Sequence, residues 1–252
     1  MKESGNHVVI TGGTSGIGLA LAEALCAAKN EVLICGRREK RLAEASGRIH
    51  GLRTFACDLS GAQGRRALYD RVRESFPEVN VLINNAGIQR DVDFRNGPAD
   101  LESGENEIRI NLEAPVFLTA LFVPLLKGKG NAYIVNVSSG LGFVPMAATP
   151  VYCATKAAIH TFSMTLRVQL ATLGIKVLEV IPPAVETELN PQGRAGRPRG
   201  TQGLVDVREY AASVVKGLRD DVAEIGYGYT QDMMNASRAD LDKRFQMMNR
   251  IT

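Results

Sequence analysis

The sequence predicts an α/β fold, a single doubly wound parallel sheet with helices on both faces. Two observations predict it. Short apolar runs rich in β-branched residues alternate strictly with longer runs of helical period. The strand-like runs also lack a polar face, as strands covered on both sides require.

HVVIT (7–11) reads as the first strand, and IGLALAEALCAAK (17–29) as a helix ending at Asn30. EVLICG (31–36) is the second strand, and REKRLAEASGRI (38–49) a polar amphipathic helix. LRTFACDLS (52–60) contains a third strand, followed by the helix RRALYDRVRESF (65–76), closed by Pro77. NVLINNAG (80–87) is a fourth strand, broken by Asn and Gly. After a polar loop, a long helix is expected over about 104–127. AYIVNVSS (132–139) is the fifth strand, and 149–174 a long helix stopped by Gly174. IKVLEVIPP (175–183) is the sixth, stopped by two prolines. EIGYGYTQDMMNASRADLDKRFQMMN (224–249) predicts a short strand and then a polar helix.

The 252 residues carry no repeat and no Pro/Gly/Ser linker, so one domain over 1–252 is expected. Within it, 188–205 reads as a substrate lid and 230–250 as a C-terminal helical extension. The net charge is +3 and scattered, which calls for neither nucleic acid nor an anionic membrane as partner. No apolar run reads as long enough to span a bilayer, and MKESGNHVVI lacks the apolar core of a signal peptide. Cys26, Cys35, Cys57 and Cys153 lack metal-ligand spacing and read as buried free thiols. A cytoplasmic protein with no metal is the expectation. His7, His50 and His160 form neither a metal set nor a triad, and His160 reads as packed or at a pocket edge.

TGGTSGIG (11–18) joins the first strand directly to the first helix. Gly12, Gly16 and Gly18 stand where the backbone must turn tightly, approach a ligand and pack helix on strand. Thr14, Ser15 and Ile17 lie between them. The helix N-terminus at this point suits a diphosphate, through free N–H groups and the macrodipole. The end of strand 2 is CGRREK, with Gly36 where an NAD enzyme tends to place an acid for the ribose 2′-hydroxyl. Arg37 and Arg38 come next, and two guanidiniums can clamp a 2′-phosphate. That favours NADP, with NAD as the alternative.

Tyr152 and Lys156 lie four residues apart and share a helix face. A tyrosine near its reference pKa of about 10 is a poor base at neutral pH. A lysine one turn on favours the phenolate and suits the tyrosine for proton transfer.

The order of these motifs resembles the short-chain dehydrogenase/reductase family, a Rossmann fold, over nearly the whole chain. The glycine spacing Gly-x-x-x-Gly-x-Gly is that family's. So is the succession of Asp58-Leu59, Asn85-Ala86-Gly87, Asn111, Ser139, Tyr152 and Lys156. The resemblance implies hydride transfer between NADP(H) and a carbonyl/alcohol pair, with Tyr152 as general acid/base. It implies that Lys156 also bonds the nicotinamide ribose. Ser139 would bind the substrate oxygen, with Ser138 as its competitor, and Asn111 would hold a water in a proton relay. Asp58 would contact the adenine amine, and Asn85 the adenosine ribose region. Pro182, Val185 and Thr187 would meet the nicotinamide carboxamide, in a corner where Pro183 replaces the usual glycine. A homodimer or homotetramer is implied, and INLEAPVFLTALFVPLL (110–126) is compatible with it.

The substrate class stays open beyond a small-molecule carbonyl or alcohol. FVPMAATP (143–150) should line one wall, and Arg194, Arg197 and Arg199 stand in the lid as either anion contacts or a solvated loop. The C-terminus lacks the Val-Asp-Gly-Gly tail of acyl-carrier-protein ketoreductases. With IPPAVETEL (181–189) it resembles a DltE-like bacterial subgroup, associated with lipoteichoic acid D-alanylation. A non-catalytic dinucleotide-binding regulator or scaffold is the alternative. A methyltransferase is disfavoured by the arginine pair, and an enoyl reductase by the close Tyr–Lys spacing.

Overall fold

A computed structural model describes residues 1–190 and 204–250. Seven parallel strands form one sheet in the order β3-β2-β1-β4-β5-β6-β7. They are β1 (His7–Thr11), β2 (Glu31–Gly36), β3 (Arg53–Ala56), β4 (Val81–Asn84), β5 (Ala132–Val137), β6 (Ile175–Ile181) and β7 (Glu224–Gly226). The strand order reverses between β1 and β4, which pair through Val8–Val81 and Ile10–Ile83. A crevice opens outside the strand ends at such a switch point.

Helices cover both faces. The α1 (Gly16–Ala27) and α2 (Glu39–Arg48) helices come after the first two strands, and α3 (Ala62–Ser75) after the third. The α4 turn (Ala99–Glu102) precedes α5 (Ala114–Leu126), and α6 (Pro150–Ala171) is the longest described helix. Then come α7 (Val207–Arg219), α8 (Tyr229–Met234) and α9 (Arg238–Asn249). Successive side chains on each strand feed opposite layers. Val8 and Ile10 pack with Leu21, Leu25, Tyr210 and Val214 on one face. Val9 packs with Leu68, Leu118, Phe122 and Leu166 on the other. The strands are apolar throughout because both of these layers must be filled.

Several features depart from the sequence expectation; among them, the single helix expected after β7 is two, α8 and α9. The helix expected from 104 is replaced at its start by a π-helical turn, Arg109–Glu113, and α5 continues from it. Such a turn shifts the hydrogen bonds to i+5 and leaves no mark in the apolar period. The α7 helix adds an element, although its signals are in the sequence. Asp206 caps it by accepting from Arg208 N and Glu209 N, both at 2.9 Å, and Tyr210, Val214 and Leu218 recur on one face. Arg109–Leu126 does have the length and composition to cross a bilayer, against the expectation of no such run. In the fold Ala114, Leu118, Phe122 and Leu126 are buried in the sheet's second layer. Finally, Cys35 and Cys153 are buried but Cys26 and Cys57 are only half-buried.

Most of the expected lid, 188–205, lies outside the described residues. Val185 and Val205 form a parallel bridge, with Glu186 N donating to Val205 O and Val205 N to Ala184 O, both at 2.9 Å. Arg194, Arg197 and Arg199 lie outside the described residues.

Candidate active site

A cleft of about 960 Å³ opens at the switch point. Its floor is the β1–α1 loop. Gly12 has φ of +68°, a region closed to most side chains, and a Cβ there would stand 2.7 Å from Ala86 Cα. The loop is tied to β4 by Asn85, whose amide donates to Thr11 O at 2.8 Å and Gly12 O at 3.1 Å. Gly12, Thr14, Ser15, Gly16 and Ile17 line the cleft, as do Asp58, Leu59, Asn85, Ala86 and Gly87. Gly18 does not reach it; a Cβ there would sit 2.4 Å from the Asn85 amide nitrogen, so its part is helix packing. The cradle of close backbone and the N-terminus of α1 fit a dinucleotide diphosphate.

At the β2 end of the cleft, Arg38 donates to Thr14 Oγ1 at 3.1 Å and Ser15 Oγ at 2.7 Å. It also pairs with Glu188 at 2.8 Å, as does Arg41. Those arginines hold the Glu188 carboxyl below its ordinary range. Arg37 pairs with Glu105. Asp58 accepts from Ser60 N at 2.9 Å, which lowers its own carboxyl. Arg65, buried behind, was not anticipated. It donates to Leu59 O at 3.0 Å and pairs with Glu113 at 2.6 Å, fixing this loop to the π-helical turn.

At the other end, α6 presents Tyr152 and Lys156 on one face, both buried. The lysine Nζ lies 5.5 Å from the Tyr152 ring centre and donates to Val137 O at 2.8 Å. Burial lowers its pKa to about 8, against the opposing charge of Glu179. Ser139 and Ser138 both border the cleft. The Ser138 hydroxyl is committed to Glu179 Oε1 at 2.5 Å. The Ser139 oxygen accepts from Leu141 N at 3.1 Å, and a hydroxyl keeps its own proton to donate.

Asn111 is buried and does not line the cleft. Its amide exchanges two bonds with Ile88, donating to the carbonyl at 2.8 Å and accepting from the N–H at 2.9 Å. It also donates to Thr155 Oγ1 at 3.3 Å. The side chain thus ties the β4 exit to α6; both amide protons are used, and the oxygen keeps a second lone pair. Pro182, Val185 and Thr187 line the cleft opposite the glycine loop. A Cβ on Gly16 would come within 3.0 Å of Thr187 Cγ2.

The far wall is made of side chains the sequence did not single out as a set. Leu141, Met146, Met233 and Met248 all face the cleft. Of FVPMAATP, only Met146 does; Phe143 instead packs at a tilt against His160, at 4.6 Å between ring centres. The α9 helix is held there by Asn249, which accepts from Ala147 N at 2.6 Å and donates to Pro145 O at 3.0 Å. Because these segments are about 100 residues apart, local pattern carried no signal for their meeting. His160 is packed, as expected, but against the buried Glu179 at 2.8 Å.

Comparison with known proteins agrees with this geometry. A sequence model described as short chain dehydrogenase matches residues 6–198. The chain belongs to the short-chain dehydrogenase family, and is thus an NAD(P)-dependent oxidoreductase. Within the family it is 45% identical over 249 residues to "Uncharacterized oxidoreductase DltE" of Bacillus subtilis (strain 168), covering 99% of this chain and 98% of that relative. It therefore falls in the expected DltE-like subgroup. A short-chain dehydrogenase from Sphingobium yanoikuyae, solved in complex with NADPH, superposes with a TM-score of 0.78 at 27% identity, over 94% of this chain and 95% of that one. A short-chain dehydrogenase from Burkholderia cenocepacia J2315, in complex with NADP, gives 0.81 at 25% identity, over 97% and 99%.

Proposed function

We propose that this chain, as a single domain, moves hydride between NADP(H) and a small carbonyl/alcohol pair, with Tyr152 as general acid/base. The observation that carries the reading is one cleft lined by the glycine loop, the Arg37–Arg38 pair, Ser139, Tyr152 and Lys156. When bound, the dinucleotide supplies the hydride carrier.

Each residue then has a task. Backbone N–H groups at Ser15–Ile17 face the diphosphate. Arg38 exchanges Glu188 for a 2′-phosphate, and Arg37 exchanges Glu105. Ser139 donates to the substrate oxygen and stabilises its developing charge. In reduction Tyr152 gives that oxygen a proton, and in oxidation it takes one back. The ammonium of Lys156 makes the phenolate accessible near neutral pH. Asn111 positions the Ile88 segment that faces the cleft. The four unpaired cysteines suit a reducing, cytoplasmic setting. Phe117 on α5, with Met164 and Val168 on α6, are exposed apolar side chains suited to a homodimer or homotetramer, which sedimentation velocity would test.

The test is titration of the purified chain with NADPH and NADH by nicotinamide fluorescence, against a background without tryptophan. Tighter NADPH binding, with NADPH consumption on a panel of aldehydes and ketones, is expected. Binding of neither nucleotide would leave only a scaffold of this fold.

A further inference from the structure

The proposed catalysis uses Ser139, Tyr152 and Lys156. It leaves unexplained a buried polar cluster bonded to the same strand end and helix. The β6 strand is apolar except at the exposed Lys176 and at Glu179, which is fully buried. A carboxylate there is costly unless its charge and lone pairs are matched. One oxygen accepts from Ser138 at 2.5 Å, and the other meets His160 Nδ1 at 2.8 Å. Its charge also acts on Lys156.

The spacing makes this more than a packing detail. Tyr152, Lys156 and His160 succeed one another at intervals of four on α6, so they form one line along a single face. Ser138 and Ser139 are consecutive at the end of β5. Glu179 therefore reaches the whole catalytic set: Ser139 through its neighbour, Lys156 through charge, and α6 through His160.

The other charged groups around it are few. Arg167 on α6 and Glu224 on β7 pair at 3.3 Å beyond His160. Ligand atoms of His160, Glu179 and Glu224 lie within 4.8 Å of one another. Arg167 already supplies a cation to Glu224, and Ser138 already donates to Glu179, so the group is a balanced charge network and not a metal site.

We propose that Glu179 is a positioning residue of the oxidoreductase site: its buried negative charge keeps Lys156 in the ammonium form, while its bond to Ser138 fixes the strand end that presents Ser139. This rests on the proposed catalytic roles of Ser139, Tyr152 and Lys156. An amine held by the Val137 carbonyl in a dry site sheds its proton readily. As a neutral amine it could still bond Val137 O, but it would offer no positive charge to a Tyr152 phenolate. Glu179 opposes that loss. His160 modulates the effect: the bond to Glu179 raises the imidazole pKa, and a protonated His160 offsets part of the Glu179 charge.

The experiment is NADPH affinity as a function of pH, from about 6 to 10, by nicotinamide fluorescence on the full chain. Wild type, Glu179→Gln, Glu179→Asp and Lys156→Met are compared. Wild-type affinity should fall as pH rises through about 8, where Lys156 loses its proton. Lys156→Met should lack that transition, which assigns it to the lysine. Glu179→Gln retains one acceptor for Ser138 and, with the His160 ring in its other tautomer, one donor for Nδ1, while removing the charge. Its transition should move down by about one pH unit, with affinity at low pH within about twofold of wild type. Glu179→Asp keeps the charge and should titrate close to wild type. An unshifted transition in the Gln variant overturns the inference, as does an equal loss of affinity at every pH. A Gln variant that does not fold while the Asp variant does also overturns it, since the residue is then structural. Failure of both variants to fold has the same meaning. Absence of NADPH binding by the wild type overturns the proposed function itself, a different result from an unshifted transition in a chain that binds.

Discussion

The two walls of the cleft are built by different rules. The wall toward β1 is made of backbone. Gly12 lies against the Ala86 backbone, with no room for one added carbon. The wall toward α9 is made of side chains, Leu141, Met146, Met233 and Met248, from segments far apart in the chain. A backbone wall cannot change without changing the fold. A side-chain wall can be rewritten a methylene at a time, and methionine adapts its shape to what it meets. The first wall therefore suits a part every member must bind, and the second a part that differs between members.

Tyr152 stands where the walls meet, so its replacement should separate binding from turnover most sharply. Tyr152→Phe keeps the ring and removes the proton. Carbonyl reduction should fall by about 10²–10⁴-fold, with NADPH affinity by fluorescence little changed. A proportional loss of affinity would mean the tyrosine only builds the wall.

Gly12→Val attacks the backbone wall directly. It forces a β-branched residue to positive φ and drives its Cβ into Ala86. Stability should drop by about 1–3 kcal/mol, read as the midpoint of urea unfolding, and NADPH binding should be lost in the chain that remains folded. A variant that binds normally would show that the loop can move aside.

The same contrast decides what the sequence could reveal. The β1 strand, the glycine loop and the Tyr152–Lys156 pair were legible because sterics and helical period act over a few residues. The π-helical turn at Arg109–Glu113 was not, since a single i+5 step barely disturbs the apolar spacing. Asn111 sits in that turn, and its commitment to Ile88, 23 residues away, is a tertiary fact. Glu179 carries no local signal in IKVLEVI, because its partners lie 41 and 19 residues upstream. Met248 was invisible for the same reason. The α7 helix was legible in principle, through Asp206 and its apolar face, yet it was not among the expected elements.

Arg38→Ala tests the one place where the backbone wall delegates recognition to side chains. A charge-assisted bond to a phosphate contributes about 1.5–3 kcal/mol, so NADPH affinity should fall about 10–100-fold. NADH affinity should hold. Equal weakening of both nucleotides would mean that Arg38 serves the loop through Thr14 and Ser15 and not the 2′-phosphate.

The smallest effect belongs to the side-chain wall. Met248→Ala removes apolar surface from a partly exposed position at the end of α9, where Asn249 keeps the helix anchored to 145–147. Trimming such a wall changes how well a substrate's apolar part is held and leaves the reacting atoms alone. At a partly exposed position the loss falls at the low end of about 1–3 kcal/mol, so KM for a carbonyl substrate found in the panel should rise by about tenfold or less. NADPH affinity should not move, and kcat should stay within a small factor. A fall in kcat with KM unchanged would contradict the division, because a residue far from the glycine loop would then be shaping the transition state. Substrates that differ only in the length of an apolar arm should rank differently on the variant than on the wild type, and that ranking would locate which end of the substrate meets α9.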